Sequence, residues 1–168
     1  VFQRMLSIPL LVVEWSKDND FQISETECDY LIQVKNGGLL WQKEALLNIA
    51  IDKCKKLGFQ KICLLDADIV FTDEHWHEKV FDKLEQYPIV QCFDWAFYLG
   101  KSSSENVLAL SDFDNYNAIY SAPSLTKYVN NGGDVYKTNS NEKNGLPGLA
   151  WAVNLRNIDF KLYTHNIV

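Results

Sequence analysis

Positive charge is scarce in this chain. Sixteen Lys+Arg stand against 22 Asp+Glu, a net charge of −6. That balance excludes a broad surface for tracking phosphates and, with it, non-specific nucleic-acid binding. A small local basic site for one nucleotide diphosphate stays open. Long apolar runs are missing too. None approaches the roughly 20 residues that a membrane helix needs, so no transmembrane segment is expected in this chain. Val1 is preceded by neither a methionine nor a basic leader, and the expectation is a piece of a longer protein. Cysteine is limited to Cys28, Cys54, Cys63 and Cys92, none in a C-x-x-C pair. Cys54 and Cys63 sit inside apolar patterns. Reduced structural thiols and a cytoplasmic setting are expected, with peripheral membrane association through regions outside this chain left open. There is no internal repeat and no low-complexity tract. A length of 168 residues, 47% hydrophobic and 23% charged, fits one ordinary globular domain.

What is present is an alternation of strand and helix signals. Ile8–Glu14 is a continuous β-branched apolar run, and Tyr30–Val34 reads as a second strand closed by the turn residues Asn36, Gly37 and Gly38. From Trp41 to Leu57 the apolar residues Leu47, Ile51 and Cys54 recur with helical spacing. Gly58 is placed to end that helix, with Lys53, Lys55 and Lys56 in its last turn. Lys61–Asp66 is a strand of the buried type. Asp73 is a candidate cap for a helix with Trp76, Val80 and Leu84 on one face, which Pro88 stops before the strand Ile89–Phe93. This order predicts an α/β fold with a mostly parallel sheet. Residues 100–145, rich in Ser, Asn, Asp, Gly and Tyr, read as either a long functional loop or a partly disordered stretch. Order returns at Gly148–Val153, and Phe160–Tyr163 is a candidate last strand.

The sharpest chemical signal is Leu64-Leu65-Asp66-Ala67-Asp68. Two carboxylates one residue apart stand where an apolar strand leaves the sheet, the edge at which open α/β sheets bind ligands. If the segment is extended, both point the same way and share one divalent cation. Hard oxygen ligands suit Mg²⁺ or Mn²⁺, which clamp phosphate oxygens. The bland alternative is a turn with two solvated aspartates. Asp66-Ala-Asp68-Ile-Val70 also fits the nucleophile loop of haloacid-dehalogenase-like phosphatases. That loop follows the first strand of its domain, whereas two strands precede it here, and Asp112 and Asp114 lie in the polar loop instead of after strands.

A larger ordered set of segments resembles the nucleotide-diphospho-sugar domain of GT-A glycosyltransferases, in particular the family-2-like bacterial and viral group. It comprises Pro9–Trp15, Trp41–Asn48 (WQKEALLN), the strand ending in Leu65-Asp66-Ala67-Asp68, Tyr87–Phe93 and Gly145–Val153 (GLPGLAWAV). The resemblance implies a single GT-A domain over 1–168, with a Rossmann-like, mostly parallel sheet and its extreme ends outside the chain. Residues 1–99 would hold nucleotide-sugar and metal, and 100–168 would face the acceptor. It implies a transferase moving a sugar from a nucleotide-diphospho-sugar, UDP-linked by expectation, to a hydroxyl of a carbohydrate or glycan acceptor, with inversion. Asp68 would be the principal ligand to Mn²⁺ or Mg²⁺, and Asp66 would face the donor ribose or reach the metal through water. Lys43, Trp41 and Asn48 would contact the donor; Gly148, close to the transferred sugar, and Trp151, against the acceptor, would form the acceptor side.

Each of these has a plainer reading: a solvated lysine on a first helical turn, a core tryptophan at 41 or 151, a solvent-facing asparagine, an ordinary turn glycine. His75 and His77, two apart, make a poor metal pair on a helix and read as surface residues. His165 is a weaker candidate for a third metal ligand. The resemblance places the catalytic base beyond Val168, so no residue is assigned to it. Beside these enzyme readings stands a sugar-nucleotide or carbohydrate-binding module without catalysis.

Overall fold

Pro9 has no amide hydrogen to give to a ladder, and the first strand accordingly begins beyond it. In the computed structural model, which describes residues 6–35, 42–99, 118–134 and 145–162, this strand is β1 (Leu11–Ser16). The chain divides into two compact units, Val1–Ile62 with Val153–Val168, and Cys63–Ala152.

In the first unit β1 pairs in parallel with β2 (Tyr30–Lys35), in the register Leu11↔Tyr30 to Ser16↔Lys35. The crossover between them is pinned by one carboxylate. Glu14 accepts from the backbone N–H of Gln22 at 2.5 Å and of Ile23 at 3.3 Å, and from the Gln33 amide at 3.3 Å. A short 3-10 turn, Glu25–Glu27, starts at Ser24, whose N–H donates to the Glu27 carboxylate at 2.9 Å. Those bonds from Ser24 hold the Glu27 carboxyl below the usual carboxylate range.

Helix α1 (Lys43–Lys56) packs on β1 through a face centred on Ile51, which is fully buried. Its end is a Schellman motif: Phe59 N–H bonds Cys54 C=O at 3.0 Å and Gly58 N–H bonds Lys55 C=O at 3.1 Å. Gly58 has φ +84°, and no atom lies within 4 Å of where a Cβ would be. The cost of Gly58→Ala is therefore backbone strain alone. A loss of about 1 kcal/mol is expected by urea denaturation, with no change in slope.

The expected last strand at Phe160–Tyr163 is absent over residues 160–162. The Leu162 backbone bonds a side chain, not a neighbouring strand: Asn48 donates to its C=O at 3.0 Å and accepts from its N–H at 2.8 Å. Lys55 adds an ion pair to Asp159 at 2.8 Å.

The second unit holds α2 (Trp76–Lys83), with Trp76, Val80 and Leu84 buried as the spacing predicts. Asp73 caps the turn before the helix: it accepts from His75 N–H at 2.9 Å and pairs with Lys79, and both bonds lower its pKa. Next come β4 (Ile89–Gln91), β5 (Trp95–Leu99) and β6 (Ala118–Pro123), then α3 (Leu125–Asn130). The last two, β6 and α3, lie inside the stretch expected to be loop. The pair β5–β6 is antiparallel, with Trp95 opposite Pro123 and Phe97 opposite Ser121.

Helix α3 is short and β-branched, and non-local bonds hold it. Its first three amides find three different acceptors: Leu125 N–H the Leu146 C=O at 3.0 Å, Thr126 N–H the Gln91 amide oxygen at 3.1 Å, and Lys127 N–H the Ser124 hydroxyl at 3.1 Å. Gly145 packs beneath this start. A Cβ there would lie 2.6 Å from Leu125 Cα and 2.8 Å from Ser124 O, so only glycine fits.

The remaining sheet has the order β3-β7-β4, with β3 at Lys61–Leu65 and β7 at Ala150–Asn154. Central β7 is buried at Ala150, Ala152, Val153 and Asn154. It runs opposite to β3, since Asp66 N–H bonds Leu149 C=O at one end and Leu155 N–H bonds Gln60 C=O at the other. The fold is thus mixed α/β. The mostly parallel sheet is not found among the described residues, which form three small sheets. Apolar runs report burial on both faces, not direction, and β7 runs antiparallel to β3.

The four cysteines are free thiols. Burial pushes Cys54 up, and a hydrogen bond of the Cys92 thiol with Cys63, followed by burial, does the same to Cys92. No helix among the described residues is long and apolar enough to cross a membrane.

Candidate functional site

The strand β3 ends at Leu65, and the two carboxylates follow at once. Asp66 is half-buried, while Ala67 and Asp68 form a turn and are exposed. The pair is therefore not extended, and the same-side argument for the two carboxylates does not apply. The turn instead carries Asp68 out into solvent beside a fixed Asp66.

What fixes Asp66 is the segment entering β7. Its N–H donates to Leu149 C=O at 2.9 Å. Leu149 has φ +73° and is the centre of a γ-turn, closed by Ala150 N–H on Gly148 C=O at 3.1 Å. That conformation is rare for a residue with a side chain and costs on the order of 1 kcal/mol. The ladder bonds on either side hold it. Trp151, half-buried on β7, donates its indole N–H to Pro147 C=O at 2.6 Å and so braces the same turn. The structure thus brings together Asp66, Gly148 and Trp151, with Asp68 next in the chain, all in the second unit.

Gly148 differs from Gly145. It is exposed, its φ is not in the left-handed region, and no atom lies within 4 Å of where its Cβ would be. Neither packing nor backbone demands glycine here.

Lys43 and Asn48 belong to the first unit. Lys43 is the half-buried first residue of α1. Both ends of the Asn48 amide are engaged by Leu162, which gives this residue a tethering task, and its nucleotide-reading role is not carried forward. Trp41, His165, Asp112 and Asp114 lie outside the described residues. His75 is exposed and faces Glu78 at 3.2 Å, as expected of a surface residue. His77 is not on the open surface. It packs edge-on against Trp76 and Phe81, with Nδ1 buried and unbonded among the described residues.

No group of three or more His, Cys, Asp or Glu able to hold a metal occurs among the described residues. The donor set of Asp66 and Asp68 still fits Mg²⁺ or Mn²⁺, because such ions are commonly held by one or two carboxylates and complete their shell with water and substrate phosphates. Sequence reasoning missed one further feature, a recess lined by Trp95, Pro123, Tyr128, Asn131, Gly132 and Gly133. The signal for it was the aromatic density of Trp95-Ala-Phe-Tyr98, which lies just before the expected loop. Compared with protein-family models, curated proteins and solved structures, the chain matches none.

Proposed function

We propose that the chain is the nucleotide-sugar and acceptor-binding part of a metal-dependent glycosyltransferase of GT-A type, using a UDP-linked donor and inverting the anomeric carbon. The observation that carries the reading is the bond from Asp66 N–H to Leu149 C=O, which sets the Asp-Ala-Asp turn against the Gly148–Trp151 segment. Two carboxylates that follow β3 thereby stand beside an open glycine and an aromatic ring.

On this reading Asp68 and Asp66 hold the divalent ion, which when bound offsets the charge of the departing diphosphate. Asp66, fixed through its amide, orients the donor. Gly148 lets the sugar approach the backbone, and the half-exposed Trp151 ring packs on the acceptor.

Calorimetric titration of UDP and of GDP, with and without Mn²⁺, tests the reading. Binding that requires Mn²⁺ supports it and identifies the base. Absence of binding by both nucleotides to the folded protein rejects the donor site. Gly148→Ala is expected to leave stability within about 0.5 kcal/mol of wild type, as for ordinary surface changes. It should also weaken sugar-nucleotide binding at least about tenfold relative to free UDP. Equal effects on both ligands would remove Gly148 from the sugar site.

A further inference from the structure

We infer that the recess between the β5–β6 ribbon and the end of α3 is a binding subsite for a neutral sugar ring. Its assignment to the acceptor rests on the transferase reading, but its ligand chemistry does not. The recess measures about 320 Å³ and is lined by Trp95, Pro123, Tyr128, Asn131, Gly132 and Gly133. That is the small end of the roughly 300–1,000 Å³ typical of ligand clefts.

Three observations define the ligand. The first is aromatic surface left in water. Trp95 is 46% exposed and Phe97, two residues on and so on the same face of the ribbon, is 55% exposed. The second is charge. None of the six lining residues is ionisable in the neutral range, and the flanking Asp94 and Lys127 pair with each other at 2.9 Å. A phosphate or a carboxylate ligand would find no counter-ion in this lining. The third is the mixture of rings with an exposed Asn131 amide and glycine backbone. Pyranose C–H faces pack on aromatic rings while their hydroxyls bond amides, so this lining suits an uncharged, polyhydroxylated ring.

The glycines shape the wall. Gly132 turns the chain with φ +85°, and a Cβ at Gly133 would lie 2.4 Å from the Tyr128 ring. The recess is also tied to the Asp-Ala-Asp turn within the same unit. Leu146 bonds Pro123 and Leu125 beside the recess, and Leu149, three residues later, bonds Asp66.

The test is calorimetric and saturation-transfer titration of the full chain, free of metal and nucleotide. The probes are the methyl glycosides of glucose, galactose, mannose, xylose and N-acetylglucosamine, with cello-, chito-, manno- and xylotetraose. At least one probe is expected to bind, with affinity at least about tenfold lower in Trp95→Ala, retained in Trp95→Phe and unchanged in Asp68→Ala. Should Trp95→Ala not fold, Asn131→Ala at an exposed position carries the comparison, with the same weakening expected. No binding of any probe up to about 50 mM overturns the inference, as does binding that survives these variants or that only an apolar peptide can displace. Sugar binding without Mn²⁺-dependent nucleotide binding would keep the subsite and remove the transferase reading. The converse would keep that reading and remove the subsite.

Discussion

Replacing Asp68 with alanine is expected to abolish Mn²⁺-dependent binding of nucleotide while leaving the fold intact. Asp68 is exposed in a turn after β3, where substitutions cost little stability, so the melting temperature should stay close to wild type. The effect on binding should be large. Loss of partners that merely orient a metal ligand already costs about 10–100-fold in affinity, and loss of one of two carboxylates should exceed that. A fall of at least about 100-fold in the presence of Mn²⁺ is therefore expected, with the weak metal-free affinity unchanged. Asp68→Asn, which keeps the shape and removes the charge, should lie nearer to alanine than to wild type. Equal affinities for wild type and Asp68→Ala, with the same metal dependence, would show that the carboxylate does not bind the ion.

The largest loss of stability is expected at Gln91. Its side chain is buried and makes three bonds: the oxygen accepts from Thr126 N–H at 3.1 Å and from the Thr126 hydroxyl at 3.3 Å, and the amide donates to Leu146 C=O at 2.7 Å. Gln91→Leu keeps much of the volume and removes every bond. The Thr126 N–H then has no acceptor, at a cost of about 1–3 kcal/mol where water does not replace it, while the Leu146 C=O keeps the bond from Leu125 N–H. A loss of about 1–2 kcal/mol in urea denaturation is expected, since one group loses its acceptor and Thr126 is exposed to solvent. Hydrogen exchange should speed up at Leu125, Thr126 and Leu146 before other sites. A change below about 0.5 kcal/mol would mean that Gln91 does not hold α3 to the segment before β7.

These two residues differ in how far the sequence reveals them. Asp68 is visible at once, because two carboxylates after an apolar run form a local pattern. Gln91 is a polar residue in a short strand, and nothing near it in the chain says that it caps a helix. The same contrast runs through the fold. Apolar runs mark β1, β2, β3, β4 and β7, helical spacing marks α1 and α2, and Gly58 marks the end of α1 by its residue type alone. Their ends differ by a few residues, as where Pro9 delays β1.

Strand direction, the β5–β6 ribbon, α3 and the task of Asn48 required the tertiary structure. Periodicity and turn chemistry act over a few neighbouring residues, so the sequence by itself determines where elements form and where the carboxylates stand. Pairing is decided by partners far along the chain. Asn48 meets Leu162 across 114 residues, and β7 sets itself against β3 through the bond from Asp66 to Leu149. Only the folded chain shows that the strained turn at Leu149 is what holds the Asp-Ala-Asp segment. A backbone amide and a distant carbonyl leave no mark in composition or spacing.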